Sequence, residues 1–510
     1  MSIVDLGVYA GFPALVLGLL VAFYGSYYSV HQDLAGITLS GKLAIELGQQ
    51  FSGYSIYFPP AERIWYSIAV RLSDLTGLRL DLAAVVMTYV LVLVGCSLAY
   101  RIRQVAVGAT PLFFVVSLAC FILVPILYKN LFGLREHIVA LGLWPYLVLR
   151  VSDPAGERVG RPLRLMVGAW LGLTLLLKYL YSLVVMLVEL VDAGHACQFN
   201  RLFRIENFVA GSIVAAYLFV WLVLDPAQRT AIGAVASAID ANLAGRGKSW
   251  FNAMKQLPMA VFLLALSRLY KLPSRTTLFG FALIAGTMAV AAIQARWYTH
   301  HIFPITLAYL AWWWMVWRDF SLWGNATAAL LTAMQIVPQY YLTNSYQSEV
   351  RELDASMEKA GLSVSGQRVG VLTVHPSPYN EYLALHDALR WNASMNNSYV
   401  AAELKPFDLP ENKGVAPPPV KLEEPGRKML HDEMLRLWED MPADVLILDH
   451  SKRWPLRYID VEWMQVFSED RRFNAIIEGY KPVLHHRGAR LDFTYYVRVD
   501  QDRSVQLQQQ

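Results

Sequence analysis

The stretch NLFGLREHIVALGLWPYLVLR, residues 130–150, places three ionisable residues directly in front of an apolar run. A helix that crosses a membrane needs about 20 mostly apolar residues, and charged side chains inside it are costly. Arg135, Glu136 and His137 therefore stand at a boundary between polar and apolar surroundings. Either they extend to the polar interface, as long side chains readily do, or they serve a functional site.

The composition indicates a membrane protein with an additional soluble part. Of the 510 residues, 55% are hydrophobic and 16% are charged, whereas a soluble domain carries about 25% charged residues. The deficit lies in residues 1–345, and residues 346–510 have an ordinary soluble composition. The formal net charge of +4, without a Lys/Arg tract, gives no indication of nucleic-acid binding. We therefore expect a polytopic α-helical membrane domain followed by a C-terminal domain.

About eleven transmembrane helices are predicted from the apolar segments. Lys and Arg are concentrated in alternate short loops, which marks those loops as cytoplasmic. The N-terminus is then cytoplasmic, and the first long loop (30–80) and the tail are extracytoplasmic. The predicted spans lie near residues 7–29, 82–100, 108–128, 134–149, 165–178, 179–194, 207–224, 257–270, 276–294, 302–317 and 324–342.

The first outer loop contains an early acidic residue and amphipathic patches. Asp33 follows the first span closely, and the patches suit helices that lie in the membrane interface. The segment YFPPAERIWY (57–66) interrupts them, because proline cannot continue a helix. A later outer segment, ARWYTHHIFPITLAYL (295–310), is rich in aromatic and basic residues.

With Glu136 at the outer end of a later helix, this order of elements resembles the GT-C membrane glycosyltransferases. That superfamily includes protein O-mannosyltransferases and the aminoarabinose transferases that modify lipid A. The resemblance implies transfer of a sugar from a polyprenyl-phosphate-linked donor to a glycan or lipid-linked acceptor. It places this reaction at the outer face of a bilayer, here a bacterial inner membrane during cell-envelope assembly. It also implies a GT-C-like fold in which Asp33 and Glu136 are catalytic.

Asp33 is the candidate general base, because an acceptor hydroxyl is a weak nucleophile and needs a group that takes its proton. The alternative is that Asp33 caps a helix starting at Leu34. The lipid phosphate requires cations, whose alternative role is anchoring at the interface. The candidates for the donor phosphate are Lys129, Arg135, Lys178, Arg296 and His300. Those for other substrate contacts are His31, Tyr57, Glu62, His137 and His301.

Glu136 has two possible roles. It either binds a divalent metal, with His137 or His31 as a further ligand, or orients Arg135. The sequence contains no HExxH zinc motif, so a cofactor does not follow from it. A separate polar group, Glu189, Asp192 and His195, falls near the predicted cytoplasmic end of its helix, where we expect it to be solvated.

The tail reads as an α/β domain that ends in a hairpin. Short apolar runs near residues 367–376 and 443–451 predict strands, and the stretch 404–428 is a proline-rich linker. The loops HPSPYN (375–380) and LDHS (448–451) follow strands, where α/β sheets usually bind ligands. We expect the tail to bind acceptor or to pack on the membrane domain. Two other functions remain: a flippase or transporter of a lipid-linked sugar, or a noncatalytic glycan-binding protein.

Overall fold

The computed structural model describes most of the membrane region and much of the tail. Tyr57, Lys129, Arg296 and the linker 404–428 lie outside the described residues. The described residues are 10–26, 30–47, 60–128, 130–224, 257–294, 299–316, 322–373, 377–390, 432, 435–436, 438–451, 463–466 and 470–499.

Helices dominate the chain up to residue 359. Short 3-10 turns at Tyr179–Tyr181 and Phe199–Phe203 separate some of them. The helices are α1 (Phe12–Ser26), α2 (Gln32–Leu47), α3 (Pro60–Thr76), α4 (Leu80–Val107), α5 (Pro111–Leu127), α6 (Arg135–Ser152), α7 (Arg161–Leu175), α8 (Ser182–Ala196), α9 (Ile205–Phe219), α10 (Leu257–Leu269), α11 (Ser274–Gln294), α12 (Thr299–Val316) and α13 (Leu322–Lys359).

Three helical segments of the described chain are long and apolar enough to cross a membrane: α4, Tyr179–Ala196 and α11. Four shorter helices, α1, α5, α9 and α10, are also apolar. Each of the eleven predicted spans overlaps a helix. The prediction of a helical membrane protein is confirmed to this extent, and the number of crossings stays a prediction.

The chain divides into two compact units. The first unit comprises Met1–Ala22, Val85–Val220 and Gly245–Thr343. The second comprises Phe23–Ala84, Trp221–Ala244 and Asn344–Gln510. The loop helices α2 and α3 therefore belong to the same compact unit as the tail.

Two glycines allow close packing in the first unit. Gly168 and Gly172 lie four residues apart on α7 and so share one face of it. A Cβ atom at Gly168 would lie 2.6 Å from the backbone oxygen of Glu206, and one at Gly172 would lie 3.0 Å from the Cα atom of Ala210. Small residues at this spacing let the backbones of membrane helices approach each other, which explains the contact of α7 with α9.

The tail contains a small mixed sheet of five described strands, which agrees with the α/β arrangement predicted for it. A separate extracytoplasmic domain stays a prediction. The strand order is β2-β1-β3-β5-β4, with β1 parallel to β2 and β3, and β5 antiparallel to β3 and β4. β3 is buried at every position, as expected of a strand covered on both faces. The elements are β1 (Arg368–Leu372), α14 (Tyr379–Leu385), β2 (Leu389–Arg390), β3 (Val445–Asp449), α15 (Trp463–Val466), α16 (Arg471–Glu478), β4 (Tyr480–Arg487) and β5 (Asp492–Arg498).

Candidate functional site

Glu136 and Lys178 form a buried ion pair in the first unit. Glu136 lies in the first turn of α6, and Lys178 directly precedes the 3-10 turn before α8. The Glu136 side chain is 1% exposed and that of Lys178 is 12% exposed. The Lys178 ammonium also donates a hydrogen bond to Oε1 of Gln294, at 3.3 Å. Two residues that the sequence suggested separately are therefore brought together.

A small cavity lies beside the Glu136 member of this ion pair. Glu136 and Tyr181 line it together with mainly apolar side chains from α5, α6, α11 and α12. Two further polar atoms belong to residues of its wall, the indole nitrogen of Trp144 and the hydroxyl of Tyr181. Both are buried, and neither has a hydrogen-bond partner in the part of the chain that the structure describes. Such groups cost about 1–3 kcal/mol each when they are left unsatisfied, so they favour a ligand with polar atoms.

His137 lies in an aromatic enclosure. Its Nδ1 atom accepts a hydrogen bond of 3.1 Å from the backbone N–H of Gly133. The rings of Phe121, Phe132 and Phe303 lie 5.3–6.4 Å from the His137 ring, measured between centroids. Phe303 comes from α12, so His137 contributes to the packing between helices.

The pair Glu136 and His137 does not fit a divalent-metal site. The carboxylate of Glu136 is already neutralised by an ammonium, and a metal there would meet the repulsion of that charge. Within the described ranges, no three His, Cys, Asp or Glu side chains are grouped so that they could hold a metal ion. We therefore assign no step to a metal.

The remaining candidates of the first unit are partly described. Arg135 is half-buried at the start of α6, and His301 is buried in α12. His300 belongs to α12, but its side chain is outside the description, as are Lys129 and Arg296 entirely. Their phosphate-binding and substrate-binding roles stay predictions.

The opposite end of α6 carries a second ionic cluster, centred on Arg150. The Arg150 guanidinium contacts Glu189, lies 2.5 Å from Oε1 of Glu206 and donates to Asn207 at 3.1 Å. The Tyr146 hydroxyl donates to Glu189 as well. These contacts join α6, α8 and α9.

Asp192 extends this cluster, and its predicted solvation is wrong. Asp192 and Glu189 are each 3% exposed. Arg275 lies 2.7 Å from Asp192, and Arg201 lies 3.2 Å from it. Arginines from neighbouring segments cover both carboxylates. These partners offset the cost of removing a carboxylate from water. His195 is exposed, as expected.

In the second unit, Asp33 lies in the first turn of α2, which begins at Gln32. The residue that caps this helix is His31, whose Nδ1 atom accepts a hydrogen bond of 3.1 Å from the backbone N–H of Asp33. The helix-cap alternative for Asp33 is therefore wrong. The Asp33 side chain is 28% exposed, so its carboxylate is accessible. A negative charge is also favourable at the positive end of the helix dipole.

The tail helix α14 packs against α2. Asn380 donates a hydrogen bond of 3.1 Å from its side-chain amide to the backbone oxygen of Gln32. Gly36, one turn further along α2, makes room for that amide, because a Cβ atom at position 36 would lie 2.5 Å from it. Farther along, Lys42 forms an ion pair of 2.6 Å with Asp387.

Glu381, next to Asn380 on α14, is a buried carboxyl group that accepts a hydrogen bond of 2.8 Å from Ser377. Burial raises the pKa of Glu381 to about 8; the hydrogen bond from Ser377 opposes this shift, and the charges of Asp33 and Glu349 add to it. At neutral pH the group is mostly uncharged. Sequence reasoning missed Asn380 and Glu381, although the loop HPSPYN directed attention to this strand end.

Glu62, the remaining candidate, lies buried in the first turn of α3. Its substrate-binding role stays a prediction. Asp33 and Glu62 belong to the second compact unit and Glu136 to the first. No family model matches the chain, and no curated protein matches it.

Proposed function

We propose that the chain is a glycosyltransferase that takes a sugar from a polyprenyl-phosphate-linked donor. It passes the sugar to a glycan or lipid-linked acceptor at the outer face of a bacterial inner membrane, in cell-envelope synthesis. The observation that carries this proposal is the Glu136–Lys178 ion pair beside the apolar cavity.

The chemistry of the donor suits this cavity. A polyprenyl phosphate combines a hydrocarbon chain with an anionic head. The cavity has an apolar wall, and the Lys178 ammonium is paired with Glu136 in that wall. Ionisable residues within membrane helices are rare and usually functional. Lys178 attracts the phosphate and stabilises the negative charge that grows on it as the sugar leaves. Glu136 holds the lysine in place, since an isolated buried ammonium is costly.

Asp33 is the proposed base for the acceptor. Its carboxylate takes the proton of the acceptor hydroxyl while that oxygen bonds to the anomeric carbon. The bond between the anomeric carbon and the donor phosphate oxygen breaks, and the polyprenyl phosphate leaves with the electron pair. Partial exposure leaves the Asp33 carboxylate accessible to an acceptor hydroxyl.

The test measures donor binding by Lys178→Met. The full-length protein is reconstituted in proteoliposomes with a panel of radiolabelled undecaprenyl-phosphate hexoses. We expect the variant to bind the best donor at least tenfold more weakly, because it lacks the ammonium. Lys178→Arg should retain part of the binding. Arg161→Met, which removes an exposed cation at the start of α7, is the matched control and should bind like the wild type.

Two outcomes would contradict the proposal. If Lys178→Met binds the donor as strongly as the wild type, the ion pair is not part of the donor site. A wild-type protein that moves labelled lipid between leaflets, yet releases no sugar when membrane extract supplies acceptors, is a flippase instead.

A further inference from the structure

The contact between α2 and α14 holds the helical turn that carries the proposed base. Gln32 and Gly36 lie four residues apart and so share one face of α2. The Asn380 amide fits over Gly36 and bonds to the backbone of Gln32, the residue before Asp33. Asn380 is 1% exposed, so the donor of this hydrogen bond is buried. The first turn of α2 is thus tied to the tail beside Asp33.

The residue next to Asn380, Glu381, is a buried carboxyl group. Two carboxyl groups close together do not both ionise easily. Among the described charges, Asp33 from α2 and Glu349 from α13 act on Glu381, and both are negative. The His31 ring lies 3.8 Å from the Asp33 carboxylate. The hydrogen-bonding partner of Glu381, Ser377, is uncharged. Burial and the two negative charges favour the uncharged form of Glu381.

We propose that Asn380 and Glu381 are positioning residues for Asp33, so that the tail domain is a working part of the transferase. Asn380 fixes the turn on which Asp33 lies, and Glu381 is the buried carboxyl group next to Asn380 on α14. This inference rests on the proposed function, with Asp33 as the base.

The first test is a double-mutant cycle between Gly36 and Asn380. Gly36→Ala puts a methyl group where the Asn380 amide lies, and Asn380→Ala removes the amide. We expect each to lower kcat at least tenfold and to change the KM for donor little. The double variant should be no slower than Asn380→Ala, because its two methyl groups fit the space. Lys42→Met, which breaks the ion pair at the other end of the same contact, should keep wild-type kcat.

The second test is the pH profile of Glu381→Gln. In the wild type, kcat should fall as the pH rises through about 8, because Glu381 then ionises in a buried place beside Asp33. The amide cannot ionise, so the variant should keep its activity over that range. An alkaline limb that Glu381→Gln shares with the wild type overturns the role of Glu381, and wild-type kcat in Asn380→Ala overturns that of Asn380.

Asp33→Asn, measured in parallel, separates this inference from the proposed function. Wild-type turnover in Asp33→Asn would show that Asp33 is not the base. If Asp33→Asn is inactive while the variants at Asn380 and Glu381 are fully active, only the positioning role is overturned. Hydrogen exchange of the amides in the first turns of α2 gives a readout without activity. Exchange should speed up in Asn380→Ala and not in Lys42→Met; equal protection in all three proteins overturns the positioning.

Discussion

The two ends of α6 each bury an ion pair, and they differ in what surrounds it. Glu136 and Arg150 are fourteen residues apart, or about 21 Å along the helix. Arg150 reaches Glu189, Glu206 and Asn207, so its guanidinium is surrounded by acceptors from two other helices. Glu136 meets Lys178 beside a cavity. Burial of a charge alone is therefore a poor sign of function. A cavity next to the buried charge is a better sign.

The asymmetry of α6 also separates stability from binding. The Arg150 cluster links helices that lie far apart in sequence, and removing its central cation leaves carboxylates buried. The Glu136 end has only to hold an ammonium where a ligand can reach it. Substitutions at the Arg150 end should consequently lower stability, and substitutions at the Glu136 end should lower donor binding.

The largest effect is expected from Arg150→Met. It leaves Glu189 and Glu206 buried without their main cation, and breaking a buried ion pair typically costs about 3–5 kcal/mol. The thermal midpoint and the yield of monodisperse protein in detergent should both drop sharply. Arg161→Met is the exposed control. If Arg150→Met were as stable as the wild type yet bound no donor, the Arg150 end of α6 would be the binding end and not the structural one.

A somewhat smaller effect, on binding, is expected from Glu136→Gln. The amide no longer holds the Lys178 ammonium in place by an ion pair, and losing one preorganised electrostatic partner costs about 2–4 kcal/mol. The loss should appear in donor affinity and turnover, measured in proteoliposomes, while the thermal midpoint changes less than in Arg150→Met. Wild-type turnover in Glu136→Gln would show that Arg135, Glu136 and His137 are interfacial residues without a catalytic role.

The smallest effect on stability is expected from the double variant Glu136→Gln/Lys178→Met. Replacing both members of a buried ion pair with uncharged groups is often neutral, so the free energy of unfolding should change by about 1 kcal/mol or less. Donor binding should nevertheless stay lost. Thermal unfolding and binding of labelled donor, measured on one preparation, check the expected stability and the expected loss of binding. A double variant as unstable as Arg150→Met would show that the ion pairs at both ends of α6 are structural.

The sequence predicted helices well where apolar residues run continuously. The spans predicted near 82–100, 179–194 and 276–294 correspond to the three helical segments that are long and apolar enough to cross a membrane. Length and hydropathy are properties of one segment, and they can be read without knowing its neighbours. The same holds for β1 and β3 of the tail, whose apolar runs are bounded by polar turns.

Pairings between distant segments could not be predicted in this way. Lys178 was a candidate as a cation for the donor phosphate, but nothing local to it indicates Glu136, 42 residues earlier. Asp192 was expected to be solvated because the helix end alone gives no sign of Arg201 and Arg275 folding over it. Asn380 bonds to a residue 348 positions away. Such partners depend on tertiary contacts that no single window of sequence contains.

Cys197, directly after α8, gives the molecule a native chemical marker. It is free and exposed, whereas Cys96 is buried and Cys120 is half-buried, and it lies near the ionic cluster around Asp192. A membrane-impermeant maleimide should therefore modify this thiol from one face of the bilayer only. In right-side-out and inverted vesicles of the unaltered protein, that reaction reports which face the Arg150 end of α6 occupies.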